Sequence, residues 1–193
     1  MLYNLIMNTI LPFLVYMLNL RNAGGLEHSD DTARWSIKIA KAAGLTGWEF
    51  LRDLEFGTRV HDIGKMGIND AILNKPGRLT ENELLAIRQH PMIGVEILGL
   101  LDGMNSEVNE DIIAMVREHH ENFDGTGYPG KLAGEKINLG ARIIRITDSY
   151  CAMTTQYRIY RRLINPGDAL TIMADHHQHY DPDLLKIFFE AVQ

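Results

Sequence analysis

Eight histidines stand at positions 28, 61, 90, 119, 120, 176, 177 and 179. A histidine taken alone is ordinarily a surface residue or a satisfied core residue, so its neighbours decide its reading. His61 is followed at once by Asp62, with Lys65 one helical turn further on. At about 100° per residue these three share one helical face, which turns an imidazole, a carboxylate and an ammonium toward one cleft. Gly64, between them, lets another backbone come close. His119-His120 stands where a helix runs out into a glycine-rich stretch, so both rings can face one site. His28 opens an early helix, His90 ends a middle one, and Asp148 lies inside a late one.

Five of these histidines (28, 61, 90, 119 and 120), with Asp62 and Asp148, make a donor set without thiolate. Imidazole and carboxylate together suit a first-row ion such as iron or manganese, not a thiolate zinc site or a calcium cage. Seven ligands over-fill one octahedron; shared between two ions, with Asp62 bridging, they give about four to each. The charge agrees. Two divalent ions less two carboxylates leave two positive charges, which a hydroxide and a phosphodiester would meet. Such a pair lowers the pKa of a bridging water, orients it and steadies the leaving oxygen of an in-line attack. Lys65 is placed to neutralise a non-bridging phosphate oxygen.

The elements that must position these groups read as helices. Ser29-Asp30-Asp31 opens a run through Trp35, Ile37 and Ile39 that stops at Gly44. Thr46 with Glu49, and Thr80 with Glu83, have capping-box spacing. A helix crosses Val95, Leu98 and Leu100, and residues 108–119 and 139–157 carry helical periodicity. Asn165-Pro166 and Asp181-Pro182 each set a cap residue before a proline. Residues 66–79 and 121–138 read as ordered loops. No strand alternation of any length occurs, so the fold class is all-α, a bundle of roughly seven to nine helices around one core.

The chain has 193 residues, enough for one domain with a real core. Its net charge of −6 gives no support for binding a nucleic-acid polymer, so any field for a phosphate must be local. One cysteine, Cys151, excludes an internal disulfide and fits a reducing compartment. Residues 1–20 are uncharged, but Asn4, Asn8, Pro12 and Asn19 interrupt them. We read this stretch as an apolar lead-in helix packing on the domain or on a second copy, and not as a membrane span. The abrupt start suits the output end of a longer protein. His176, His177 and His179 read as a solvated helix end, Cys151 as a small buried residue, and the methionines as core filler. Glu121 and Asp124 either orient ligand histidines or cap their loop.

The motif His61-Asp62-Ile63-Gly64-Lys65, with His119-His120-Glu121-Asn122-Phe123-Asp124-Gly125-Thr126-Gly127-Tyr128-Pro129, resembles the HD-GYP domain, a bacterial branch of the HD phosphohydrolases. The likeness continues through Ile72–Thr80, His90-Pro91 and Ala141–Asp148, and covers roughly residues 17–190; we read residues 1–20 as the lead-in and 21–193 as the phosphohydrolase domain. The resemblance implies an all-α HD-domain bundle and a cytoplasmic cyclic di-GMP phosphodiesterase with iron or manganese. It implies His28, His61 and Asp148 on one ion and His90, His119 and His120 on the other, with Asp62 between them. Lys65 would touch the scissile phosphate, Tyr128 would shape the substrate side, and Arg158 and Arg161 match basic positions used on ligand phosphates.

Three positions depart from the family pattern. Gly24 stands where the family often has a glutamate that goes with a third metal, which implies a two-metal site and linear pGpG as main product. Cys151 replaces a common aspartate. The stretch Gln156-Tyr157-Arg158 is one residue longer than the usual spacing. The competing expectations are a non-catalytic sensor or interaction module and a phosphodiesterase for the mixed cyclic GMP-AMP dinucleotide. An upstream sensor domain and a homodimer through the N-terminal helix are the expected partners.

Overall fold

The computed structural model describes residues 11–21, 25–102, 108–155 and 163–192. Gly24, Arg158 and Arg161 lie outside the described residues, as do 1–10. The described chain has no strand; it has eight α-helices of nine residues or more and two shorter ones. They are α1 Leu11–Arg21, α2 Gly25–Ala42, α3 Trp48–Val60, α4 Asp70–Leu73, α5 Glu81–Ile87, α6 His90–Asp102, α7 Glu110–Glu118, α8 Leu139–Thr154, α9 Pro166–Asp175 and α10 Pro182–Val192. The all-α reading holds.

Capping chemistry sets most starts. Thr80 and Glu83 form the full reciprocal box of α5. Asn109, Asn138 and Asn165 accept amides at the first turns of α7, α8 and α9. Asp181 Oδ1 does the same for Asp183 and Leu184 at α10. Thr46 and Glu49 do not make a box, because Gly47 takes the N-cap position of α3. Helix α2 starts at Gly25, before Ser29, so Ser29 is an interior residue and fully buried. Its end is as read: Gly44 has φ +79°, the left-handed conformation that closes a helix. Segment 66–79 is more ordered than a loop, holding the end of a 3₁₀ turn, Ile63–Gly67, and the short α4.

The core has two lobes. Ile39, Leu54, Ile143, Ile146, Met173 and Phe188 fill one, between α2, α3, α8, α9 and α10. Val15, Leu18, Phe56, Val60, Leu98, Ile112 and Val116 fill the other, between α1, α3, α6 and α7. Helix α3 packs into both lobes and its end delivers His61. In α1, Val15 and Leu18 are buried while Phe13, Tyr16 and Leu20 are exposed. No helix among the described residues is long and apolar enough to cross a membrane. Cys151 is buried, and burial pushes its thiol up to about 12. Met115 and Met173 are core residues, and His176 and His177 are exposed at the end of α9, all as read.

Candidate metal centre

One local device places three of the histidines. The last carbonyls of a helix lack intrahelical partners. At the ends of α3, α5 and α7 a histidine three residues beyond such a carbonyl takes it. His61 Nδ1 donates to Thr58 O (2.6 Å), His90 Nδ1 to Ile87 O (2.8 Å) and His119 Nδ1 to Val116 O (2.7 Å). A carbonyl can only accept, so each Nδ1 carries the proton and each Nε2 presents a lone pair. These lone pairs converge. His90 Nε2 and His119 Nε2 stand 3.1 Å apart, an arrangement that repels unless a proton or cation lies between them. His61 Nε2 is buried with no hydrogen-bond partner among the described residues. His90 therefore begins a helix, α6, and does not end one; its position just past α5 gives it the carbonyl it needs.

Asp62 lies between two groups of donors. Its Oδ1 is 3.3 Å from His90 Nε2 and its Oδ2 is 3.5 Å from His61 Nε2. Asp62, His90, His119 and His120 each offer a ligand atom within 4.8 Å of the others, as do His28, His61 and Asp62. Asp148, on α8, meets the second group through Oδ1, 3.0 Å from His28 Nε2 and 3.7 Å from His61 Nε2. All seven residues named from the sequence thus meet in one cluster. Lys65 joins them by a different route from the one expected. The chain leaves α3 at Val60 and tightens to a 3₁₀ turn, in which residues three apart eclipse. Lys65 is therefore set on Asp62, and its Nζ donates to Asp62 Oδ2.

Burial would raise the Asp62 carboxyl, but Lys65, His61 and His90 hold it well below the usual range. Asp148 is likewise held low against burial by His28 and His61. Burial is the main force depressing His90, to about 4, and with neighbouring imidazoles it holds His119 and His120 well below 6.5. For His61 burial acts downward, but Asp62, Asp148 and the Thr58 carbonyl outweigh it and raise the pKa. The cluster thus keeps two carboxylates ionised and three imidazoles neutral, the states that a divalent cation requires of its ligands. The inward lone pairs and the shared carboxylate fit such a cation.

The 121–138 loop forms one wall. Tyr128 stacks on His120 with ring centroids 4.8 Å apart and planes at 26°. Glu121 accepts from the Gly130 (2.5 Å) and Leu132 (3.1 Å) amides, and Asp124 from Thr126 (2.9 Å). Both acids therefore work on the loop. Gly127 lets the loop fold against itself, since a Cβ there would run into the Glu121–Asn122 backbone. Two residues not singled out in the sequence belong to this wall. Arg88 holds its Cζ 5.3 Å from the Tyr128 ring centroid, and Arg145 donates to Asn122 Oδ1 from Nε (3.0 Å) and Nη2 (2.9 Å). Their signal was local: Arg88 stands two residues before His90, and Arg145 one turn before Asp148.

A profile described as the HD domain matches residues 12–184. A cyclic di-GMP phosphodiesterase of Pseudomonas aeruginosa is 36% identical over 180 residues, covering 93% of this chain and 42% of that protein. A 3'3'-cGAMP-specific phosphodiesterase of Vibrio cholerae is 34% identical over 166 residues, covering 86% of this chain and 35% of that protein. The chain thus spans less than half the length of these curated relatives. Among solved structures, an HD-GYP-type protein of Bdellovibrio bacteriovorus superposes with a TM-score of 0.70 at 18% identity, over 87% of this chain and 52% of that one. These findings bear out the likeness first read at residues 61–65 and 119–129: the chain belongs to the HD domain family, with the motifs of its HD-GYP branch.

Proposed function

We propose that this chain is a metal-dependent cyclic-dinucleotide phosphodiesterase that hydrolyses cyclic di-GMP to linear pGpG. The observation that carries the reading is the convergence of buried Nε2 lone pairs on Asp62, which both donor groups share. The Pseudomonas relative, named a cyclic di-GMP phosphodiesterase, supports the substrate. His28, His61 and Asp148 would hold one ion and His90, His119 and His120 the other, with Asp62 between. Two divalent ions, iron or manganese, would supply Lewis acidity and a water of lowered pKa there.

The rest falls to the chain. The Nδ1–H donors of His61, His90 and His119 lock the tautomer that leaves Nε2 free to ligate. Lys65, held on Asp62, neutralises a non-bridging oxygen of the scissile phosphate. Tyr128 gives the substrate a flat wall beside His120. The phenol's pKa is raised, by burial and then by Asp62 and Asp148, so it stays protonated and donates. Arg158 and Arg161 complete the phosphate contacts in this reading. A homodimer through α1, an upstream sensor domain and a cytoplasmic place belong to it too; exposed Phe13, Tyr16 and Leu20 support the first.

The test is anaerobic metal analysis joined to a cyclic di-GMP hydrolysis assay with added iron or manganese. The expected result is about two ions per chain with pGpG appearing. Two ions with turnover of the mixed cyclic GMP-AMP dinucleotide alone would select the second reading, which the Vibrio relative favours. Two ions without any turnover would make the chain a binding module.

A further inference from the structure

The wall beside the metal centre is only as firm as the 121–138 loop that carries Tyr128. Glu121 and Asp124 tie this loop to itself, through Gly130, Leu132 and Thr126. Such bonds fix the shape of a loop and not its place on the helices. Arg145 ties it to α8. The side chain is half-buried, one turn before Asp148. Its Nε and Nη2 donate to one oxygen, Asn122 Oδ1 (3.0 and 2.9 Å). Its Nη1 donates to Ser149 Oγ (2.5 Å), whose own proton goes to the Arg145 carbonyl (2.8 Å). The guanidinium is thus braced on its own helix while it grips the loop. The ring of buried Tyr180 flanks it, with its centroid 5.4 Å from Cζ. The hydrogen-bond partners are neutral, and a charged donor makes such bonds about twice as strong as neutral ones.

The grip reaches Tyr128 by two routes. With the guanidinium on Oδ1, the Asn122 amide turns its NH2 the other way and donates to Thr126 Oγ1 (2.9 Å). The Asn122 backbone is also what Gly127 rests on, since a Cβ there would stand 2.2 Å from the Asn122 nitrogen. Thr126 and Gly127 lead straight into Tyr128, whose amide donates to His120 O (3.2 Å) and whose ring stacks on the His120 imidazole. From the other side the Phe123 amide donates to His179 O (3.0 Å), next to Tyr180. Asn122 and Phe123 are therefore held at once from α8 and from the junction of α9 and α10.

We propose that Arg145 is a positioning residue for the Tyr128 wall: through Asn122 it holds the 121–138 loop on α8, and with it the Tyr128 ring on His120. The helix that supplies Asp148 then also sets the substrate side of the cleft. The consequence for turnover rests on the cyclic-dinucleotide reading given above; the clamp itself rests on the contacts alone.

The experiment has one readout for each part. Hydrogen exchange on the full chain follows the Phe123 and Tyr128 amides in Arg145→Gln, Arg145→Lys, Asn122→Ala and the Arg145→Gln/Asn122→Ala double variant. Both amides should exchange at least about tenfold faster in Arg145→Gln and in Asn122→Ala, the loss expected for one charge-assisted hydrogen bond. The double variant should add nothing, because both changes break one tie. Arg145→Lys, which keeps a charged donor, should recover part of the protection. Asn122→Ala lies in the loop and leaves the core alone, so it reports even where Arg145→Gln folds poorly. Kinetics on the manganese-loaded chain should show kcat/KM for cyclic di-GMP about tenfold lower in Arg145→Gln, mostly through KM. In a Tyr128→Ala background the same change should cost nothing further, whereas a merely structural residue would add its full cost there. Unchanged exchange at Tyr128 in both single variants, or a full additional loss in the Tyr128→Ala background, overturns the assignment. Wild-type chain with a protected Tyr128 amide and no cyclic-dinucleotide turnover overturns the parent reading and leaves the clamp standing.

Discussion

Asp62 is the residue that the two donor groups share, with His90, His119 and His120 on one side and His28 and His61 on the other. Asp62→Ala should lower bound metal from about two ions to at most one, and diester hydrolysis by at least about a hundredfold, the upper range for outer-sphere losses. Lys65→Ala should keep the metal and lower turnover, because its ammonium touches Asp62 from one side only. Metal analysis and kinetics on both variants check this; a metal-loaded, fully active Asp62→Ala would refute the bridging role. These residues were legible because each sits at a signal that the chain writes locally. His61, His90 and His119 follow helix ends and Asp62 adjoins one of them. Arg145 was not legible, because its value lies in contacts with Asn122, 23 residues away, and with the Tyr180 ring. Likewise, Arg88 gains its meaning from Tyr128, which chain order does not reveal.

Elements bring those residues together through close backbone packing. The 3₁₀ turn Ile63–Gly67 lies against α6 so tightly that a Cβ on Gly64 would run into the His90 carbonyl and crowd the Gly94 amide. Both obstacles are backbone and cannot swing aside. Gly64→Ala should destabilise by about 3 kcal/mol or more and displace His90, whereas Gly99→Ala, with nothing within 4 Å of its Cβ, should stabilise α6 by about 0.5–1 kcal/mol. Denaturant midpoints of the two variants measure the contrast. The sequence reading anticipated a close approach at Gly64 but took the segment for α-helix; the switch to 3₁₀ came from packing against α6. Helix α5 carries a pH signature. The Lys75 ammonium and Thr80 hydrogen bonds hold the Glu83 carboxyl down to about 2. A depressed carboxylate stabilises fully above its unfolded pKa of 4.5, and that contribution fades as pH falls through about 2. Glu83→Gln should therefore lower stability at neutral pH and flatten its dependence between those values, as followed by unfolding titrations at several pH values. That capping box was plain in the sequence, whereas the pairing at Thr46 failed because Gly47 sits between threonine and helix.

At the scale of the whole molecule, the cluster joins elements that two separate core lobes hold. His28 comes from α2 and Asp148 from α8, in the lobe around Ile39 and Phe188; His90 and His119 adjoin α6 and α7, in the lobe around Leu98 and Val116. A ligand that binds only the folded arrangement stabilises it by mass action, about 2.7 kcal/mol per site at one hundred times its dissociation constant. For a chain of 193 residues, that stabilisation raises Tm by about 5–10 °C. His90 Nε2 and His119 Nε2 stand face to face at 3.1 Å, an arrangement that a cation between them relieves. Adding manganese to chelator-treated protein should thus raise Tm by at least that amount, and a chelator should reverse it. The gain should be halved or lost in Asp62→Ala and kept in Lys65→Ala, a difference that non-specific binding of manganese to surface acids would not reproduce. A Tm indifferent to manganese in the wild-type chain would mean that the histidines form a hydrogen-bonded core and no metal centre, and the phosphodiesterase reading would fall with it.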